Sequence, residues 1–265
     1  LSTLLSPLLK KIVIIFIAVF SITCLVALFF YLHQKDQEFF DETSPSFMYT
    51  DFGVYVPTQF SIYGIDVSRH QNRINWKEVK KMKVQNIEID FVFIKATEGK
   101  FMKDKRFKEN WKEAKQNGIT RGAYHFYLPD GSPETQATNF MESVKLLPGD
   151  LPPVIDIEDR GVGAHKAFIA NIKIFIDDVS DYCDCKPIIY TYDSFYDDYL
   201  RGQFTGYPLW IARYGAEKPE EDRFSFWQFS DKARVDGIGP KVDMNVFSGD
   251  SAAFSNLLIQ EIPKP

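Results

Sequence analysis

Asp156-Ile157-Glu158 closes a short apolar run over residues 154–157. In an extended segment successive side chains alternate, so Asp156 and Glu158 share one face while Ile155 and Ile157 point the other way. The strand rise separates the two positions by about 6–7 Å along the backbone. Carboxyl groups held that close raise one another's pKa, which gives a protonated acid beside an ionised partner. That pair is the equipment for breaking a glycosidic bond. Asp66 ends the run Tyr63-Gly64-Ile65-Asp66-Val67, and Asp243 sits in the last apolar run, residues 242–247. A single acid at such a place is most simply a solvated residue or a helix cap. Four acids at three strand ends, with apolar strands behind them, point to a shared cavity. Tyr124, Tyr190, Trp210 and Trp227 lie in or near strand ends, where they could face sugar rings. Each could equally be core. Glu98 reads either as a site carboxylate or as a turn residue, and His125 reads as a core histidine.

The elements that must position these residues alternate. Short apolar strands are expected at 63–67, 91–96, 122–126, 154–157, 187–191, 209–212, 226–229 and 242–247. Helical spacing falls at 76–83, 107–117, 133–144 and 165–181. Strand–helix alternation argues for a mostly parallel sheet. Eight strands with little room for helices between the last three suggest a (β/α)₈ barrel whose last helices are lost. Such barrels place their chemistry at the C-terminal ends of the strands, where these acids lie.

The chain has 265 residues, with 31 basic and 36 acidic side chains. Lys10 and Lys11 are the only charged residues among the first 34, so the remainder carries a net −7. That balance gives no electrostatic reason to bind nucleic acid. Residues 12–32 run twenty-one positions without a charge, enough for a helix to cross a hydrocarbon core of about 30 Å. The lysine pair before this run predicts a cytoplasmic N-terminus for residues 1–11, with the bulk of the chain outside the cytoplasm. A cleaved secretory signal or a lipoprotein signal at Cys24 are the competing readings. Residues 33–59 are acidic and aperiodic and read as a stalk, leaving 60–265 as the functional domain. Cys183 and Cys185 are separated by one residue, so a disulfide between them would close a strained ring; they read as structural or free thiols, and a lone C-x-C without companion ligands is a weak metal signal.

The motifs Gly64-Ile65-Asp66-Val67-Ser68-Arg69-His70-Gln71, Lys95-Ala96-Thr97-Glu98-Gly99, Gly122-Ala123-Tyr124-His125-Phe126-Tyr127 and Val154-Ile155-Asp156-Ile157-Glu158 together resemble those of family 25 glycoside hydrolases, the Chalaropsis-type lysozymes. Trp210-Ile211-Ala212-Arg213-Tyr214, Trp227-Gln228-Phe229-Ser230 and Val242-Asp243-Met244-Asn245 follow in the same order. The resemblance covers roughly residues 61–249. It implies a flattened (β/α)₅(β)₃ barrel that hydrolyses the β-1,4 bond between N-acetylmuramic acid and N-acetylglucosamine. It also implies Glu158 as general acid with Asp156 beside it, and Asp66 and Asp243 as the remaining active-site carboxylates. Tyr124, Tyr190, Trp210, Trp227 and Glu98 are the expected substrate contacts. No cofactor or metal is expected, the partner is the peptidoglycan glycan strand, and the chain is expected to be a monomer at the cytoplasmic membrane. The alternatives are a metal-dependent phosphodiesterase using the same acids and a catalytically dead glycan-binding module.

Overall fold

The computed structural model describes residues 20, 21, 23, 24, 26–28, 47–215, 217–220 and 224–261. The expected cytoplasmic stretch 1–11 lies outside them, as do most of the expected span and residues 33–46 of the stalk. Among the described residues no helix is long and apolar enough to cross a membrane.

The expected stalk ran to residue 59, but its last part is folded. Strands β1 (Phe47–Tyr49) and β2 (Tyr55–Pro57) form an antiparallel hairpin. Phe52, Val54 and Val56 are buried in it. Phe47 meets the Trp227 ring edge-on at 6.1 Å, and the Arg234 amide donates to the Phe52 carbonyl at 2.8 Å. Three-residue strands around a turn carry too little periodicity to announce themselves in the sequence.

The chain then lays down β3 (Tyr63–Val67), α1 (Trp76–Lys81), β4 (Phe91–Glu98), β5 (Met102–Lys103) and α2 (Phe107–Gln116). It continues with β6 (Thr120–Phe126), α3 (Pro133–Ser143), β7 (Val154–Asp156), α4 (His165–Cys183) and β8 (Ile188–Tyr192). Two short helical turns, Asp193–Phe195 and Tyr196–Leu200, stand where a fifth helix would be. Strands β9 (Leu209–Ala212), β10 (Phe226–Ala233) and β11 (Val242–Phe247) follow, then α5 (Ser251–Leu257). The strand order β3-β11-β10-β9-β8-β7-β6-β4, with β3 also paired to β4, closes an eight-stranded barrel. From β3 through β4, β6, β7, β8, β9 and β10 the pairings are parallel. β11 is antiparallel to both β10 and β3 and makes the seam.

Local sequence explains the helices. The Ser132 hydroxyl accepts from the Thr135 amide at 3.2 Å and Pro133 takes the first turn of α3, where a missing N–H costs nothing. Helix α4 buries Phe168, Ile169, Ile172, Phe175, Ile176 and Val179 at helical spacing. It ends on Asp184 at φ 49. Its last residue, Cys183, is joined to Cys185 in a disulfide with Cα atoms 5.1 Å apart, a small ring that the one-residue spacing makes unexpected. The final helix α5 was not expected from the sequence. Asp250 caps it by accepting from the Ala253 amide at 2.8 Å.

The barrel interior is filled with aromatic rings. Phe91 and Phe93 enter because glycines face them: a Cβ on Gly64 would lie 2.5 Å from the Phe91 ring and one on Gly122 2.6 Å from Phe93. Phe93 stacks on Trp210 at 4.3 Å, and Phe226 meets Phe91 and Phe93 edge-on at 5.2 and 5.1 Å. Phe254 of α5 packs on Phe91 and Phe247. The close packing makes this half of the barrel a plug rather than a pore. His125 lies between the sheet and the helices, fully buried, with Nδ1 2.7 Å from Thr97 Oγ1 and its ring stacked on Phe175. Burial pushes its pKa down to about 3, so it is a neutral core residue.

Candidate active site

Asp156 is the last residue of β7, and Glu158 follows two residues later on the same face. The alternation is fixed by the backbone: the Ile157 amide donates to the Tyr190 carbonyl at 2.9 Å and the Tyr127 amide to the Asp156 carbonyl at 2.9 Å. Ile155 and Ile157 are fully buried on the opposite face. The Asp156 and Glu158 side chains share a hydrogen bond, and Glu158 is also bonded to Tyr192. Asp156 is buried, and its Oδ1 has no protein partner. A buried carboxyl oxygen left open is costly, which makes it a natural place for a ligand donor.

The second pair meets across the seam. Asp66 and Asp243 are direct register partners on β3 and β11, and their side chains share a hydrogen bond. Asp66 Oδ2 accepts from Gln228 Nε2 at 2.8 Å and from Asn245 Nδ2 at 2.8 Å. Gln228 Oε1 in turn accepts from the hydroxyls of Tyr190 and Tyr214, each at 2.9 Å. Asn245 Oδ1 accepts from Trp210 Nε1 at 2.8 Å.

All four acids are harder to ionise than usual. Burial pushes Asp66 up to about 6, held back by the bonds from Asn245, Gln228 and Asp243. Burial, then the neighbouring charges of Asp66 and Asp231, takes Asp243 up to about 9. Burial and the Glu158 charge raise Asp156 well above the carboxylate range, and burial raises Glu158. Of the two, Asp156 is the more deeply buried and is raised the further, because Glu158 reaches further towards solvent. Lys95 opposes the rise in both through its positive charge.

The aromatic candidates divide. Tyr124 keeps part of its surface exposed, and its hydroxyl is raised first by burial and then by the charges of Asp66, Asp156 and Asp243. Tyr190 and Trp210 are buried, with ring centroids 4.4 Å apart, and serve as hydrogen-bond donors beneath the acids rather than as open platforms. Trp227 is not in the cleft. It is fully buried on the outer face of β10 against Phe47 and Phe60 and donates to the Arg213 carbonyl. Strand alternation turns Gln228 inward and therefore Trp227 outward. Glu98 is engaged with Lys95 Nζ at 2.8 Å, and that ammonium lies 4.4 Å over the Phe126 ring. Sequence reasoning missed Gln228, Asn245, Tyr192 and Tyr214. For Asn245 a signal existed, since Asp243 and Asn245 alternate onto one face as Asp156 and Glu158 do.

Comparison with known proteins decides the family. The sequence profile described as glycosyl hydrolases family 25 matches residues 65–238. The chain belongs to this family. It is 35% identical over 209 residues to lysozyme M1 of Streptomyces globisporus, covering 72% of this chain and 69% of that one. It is 42% identical over 200 residues to the uncharacterised protein YegX of Escherichia coli (strain K12), covering 75% and 74% of the two chains. Among solved structures, a family 25 glycosyl hydrolase from Bacillus anthracis superposes with a TM-score of 0.69 at 31% identity, over 76% of this chain and 95% of that one. The family 25 chain is thus a glycoside hydrolase of the lysozyme and muramidase group, and its eight-stranded barrel is the family's fold.

Proposed function

We propose that this chain hydrolyses peptidoglycan at the β-1,4 bond between N-acetylmuramic acid and N-acetylglucosamine, with Glu158 as general acid and Asp156 as its partner. The observation that carries this reading is the hydrogen-bonded carboxyl pair at the end of β7, with one oxygen of Asp156 buried and unpartnered. The N–H of a 2-acetamido group is a donor suited to that oxygen. As substrate enters, the shared proton passes from Asp156 to Glu158. Glu158 gives it to the glycosidic oxygen while the acetamido oxygen attacks the anomeric carbon, so the C–O bond to the leaving sugar breaks as a ring C–O bond forms. Asp156, now ionised, faces the positive acetamido nitrogen. Water, deprotonated by Glu158, then reopens the ring. This substrate-assisted course is a recognised variant of the two-carboxylate scheme.

Asp66, pinned by two amide donors, lends negative charge to the same centre. The N–H donors on Asp66 Oδ2 occupy lone pairs that a divalent cation would need, which disfavours the phosphodiesterase alternative. Digestion of purified peptidoglycan, followed by borohydride reduction and mass spectrometry, tests the assignment. New reducing ends on N-acetylmuramic acid support it. Reducing ends on N-acetylglucosamine, activity lost to EDTA and restored by a divalent ion, or binding without cleavage would each replace it.

We further propose that residues 12–32 anchor the chain in the cytoplasmic membrane with the barrel outside the cytoplasm. The uncharged run and the Lys10–Lys11 pair before it support this reading. Membranes washed with alkaline carbonate should retain the full chain, and protease should reach the barrel without lysis of the cytoplasmic membrane. A barrel protected until that membrane is broken would reverse the orientation.

A further inference from the structure

We propose that Gln228 and Asn245 are positioning residues that make Asp66 the fixed anion and Asp243 the proton-bearing member of the seam pair.

The indole N–H of Trp210 is a donor only. The Asn245 atom facing it at 2.8 Å is therefore the carbonyl oxygen, and the amide nitrogen is the atom turned to Asp66 Oδ2. Asn245 has one orientation, set by a fully enclosed ring. The Gln228 oxygen faces two tyrosine hydroxyls, which can donate or accept, so its orientation is set from the other end, by Asp66. Flipping it would put its carbonyl against Asp66 Oδ2, an acceptor already occupied by an N–H. Two N–H donors thus converge on a single oxygen of Asp66, and both donors are themselves held by buried or half-buried aromatic residues. A carboxyl oxygen receiving two such bonds favours the ionised form. Among the described residues Asp243 receives a backbone N–H but no side-chain amide, against the two amides on Asp66, so in the bond between the two acids Asp243 donates. Asp243 is then committed to Asp66 and does not itself transfer a proton to substrate.

The groups facing Asp66 come from every neighbouring strand. Asp243 lies on β11, Asp156 and Glu158 on and just past β7, Tyr124 on β6 and Tyr190 on β8. Tyr214 follows β9. Lys95 of β4 faces Asp156 and Glu158, and Asp231 of β10 faces Asp243. Acids dominate this surrounding, so without the two amides Asp66 would take up the proton.

The inference uses the glycosidase reading only for its kinetic readout. Gln228→Glu keeps the length and the acceptor for Tyr190 and Tyr214 but offers Asp66 no N–H. Gln228→Met removes the donor without adding charge. The ionisation of Asp66 is followed by the ¹³C shift of its carboxyl carbon, and the kcat/KM profile on peptidoglycan is recorded alongside. In both variants the Asp66 titration and the acid limb should move to higher pH, by about one unit in Gln228→Glu and less in Gln228→Met. KM should change less than twofold, and part of the lost kcat should return as pH is raised. Where either variant fails to fold, Tyr214→Phe, at a half-exposed ring, should shift Asp66 in the same direction by a smaller amount. An Asp66 titration unmoved in every variant that folds, or an equal loss of kcat at all pH values, overturns the proposal. Wild-type protein inactive on peptidoglycan would overturn the muramidase reading instead, while the carbon titration still decides the role of the amides.

Discussion

Asp156 and Glu158 stand one residue apart at the end of a single strand, whereas Asp66 and Asp243 meet only where the last barrel strand pairs with the first. The first pair has one clamp from a tyrosine, a buried oxygen with no partner, and an outer member that reaches solvent. The second is gripped by two amides, each backed by aromatic donors. Loose geometry suits a group that must give up a proton and take it back. Tight geometry suits a charge that must stay in place while the substrate's own charge develops. The same residue type therefore does different work according to how many donors surround it.

The strongest way to break this contrast is Glu158→Gln. It keeps size and shape but cannot protonate the leaving oxygen, so kcat should fall about 10²–10⁴-fold with little change in melting temperature. Near-normal turnover would remove Glu158 from the acid role. Asp156→Asn should come next, lowering kcat about 10²–10³-fold and KM hardly at all, because the charge it supplies matters only on the way to the transition state. A large rise in KM with kcat intact would make Asp156 a binding residue.

The seam pair should respond in stability more than in rate. Asp243 keeps its proton in the folded chain up to about 9, against an ordinary 3.8. Unfolding releases that proton between these values, so this group's contribution makes stability fall as pH rises through the interval. Asp243→Asn retains a donor to Asp66 without titrating. It should raise Tm more at pH 8 than at pH 5, by about 2–4 °C for each kcal/mol regained, while kcat falls less than tenfold. Thermal scans at the two pH values check it, and an equal Tm change at both would contradict the assigned proton. The smallest effect is expected from Lys95→Met. Its charge holds Asp156 and Glu158 down, so its removal should move the alkaline limb of the kcat profile upward by a fraction of a unit. An alkaline limb that stays in place would show that Lys95 does not act on the pair that titrates there.

The alternating pattern announced the barrel well. Strands β3, β9 and β11 stand at the bounds the sequence predicts, and the four acids cluster where strand ends were expected. The failures concern phase and company. Nothing in the run Trp227-Gln228-Phe229 says which alternate residues face inward, because both faces of a barrel strand are buried and hydrophobicity no longer distinguishes them. Trp227 was therefore placed in the cleft that Gln228 occupies. Glu98 was legible as polar but not as the partner of Lys95. The hairpin Phe47–Pro57 was hidden because its burial depends on surfaces presented by residues near Trp227 and Arg234, far along the chain.

The antiparallel seam has a kinetic meaning. Contacts between β3 and β11 join positions near the two ends of the barrel sequence, and such long-range pairings are slow to form. A nascent chain can fold its early strand–helix units as they emerge, yet it has no Asp66–Asp243 pair until β11 arrives. Asn245, one of the two clamps on Asp66, arrives on that same strand. Hydrolytic competence is consequently the final event of folding, and a chain interrupted before β11 carries the β7 acids with no fixed anion opposite them.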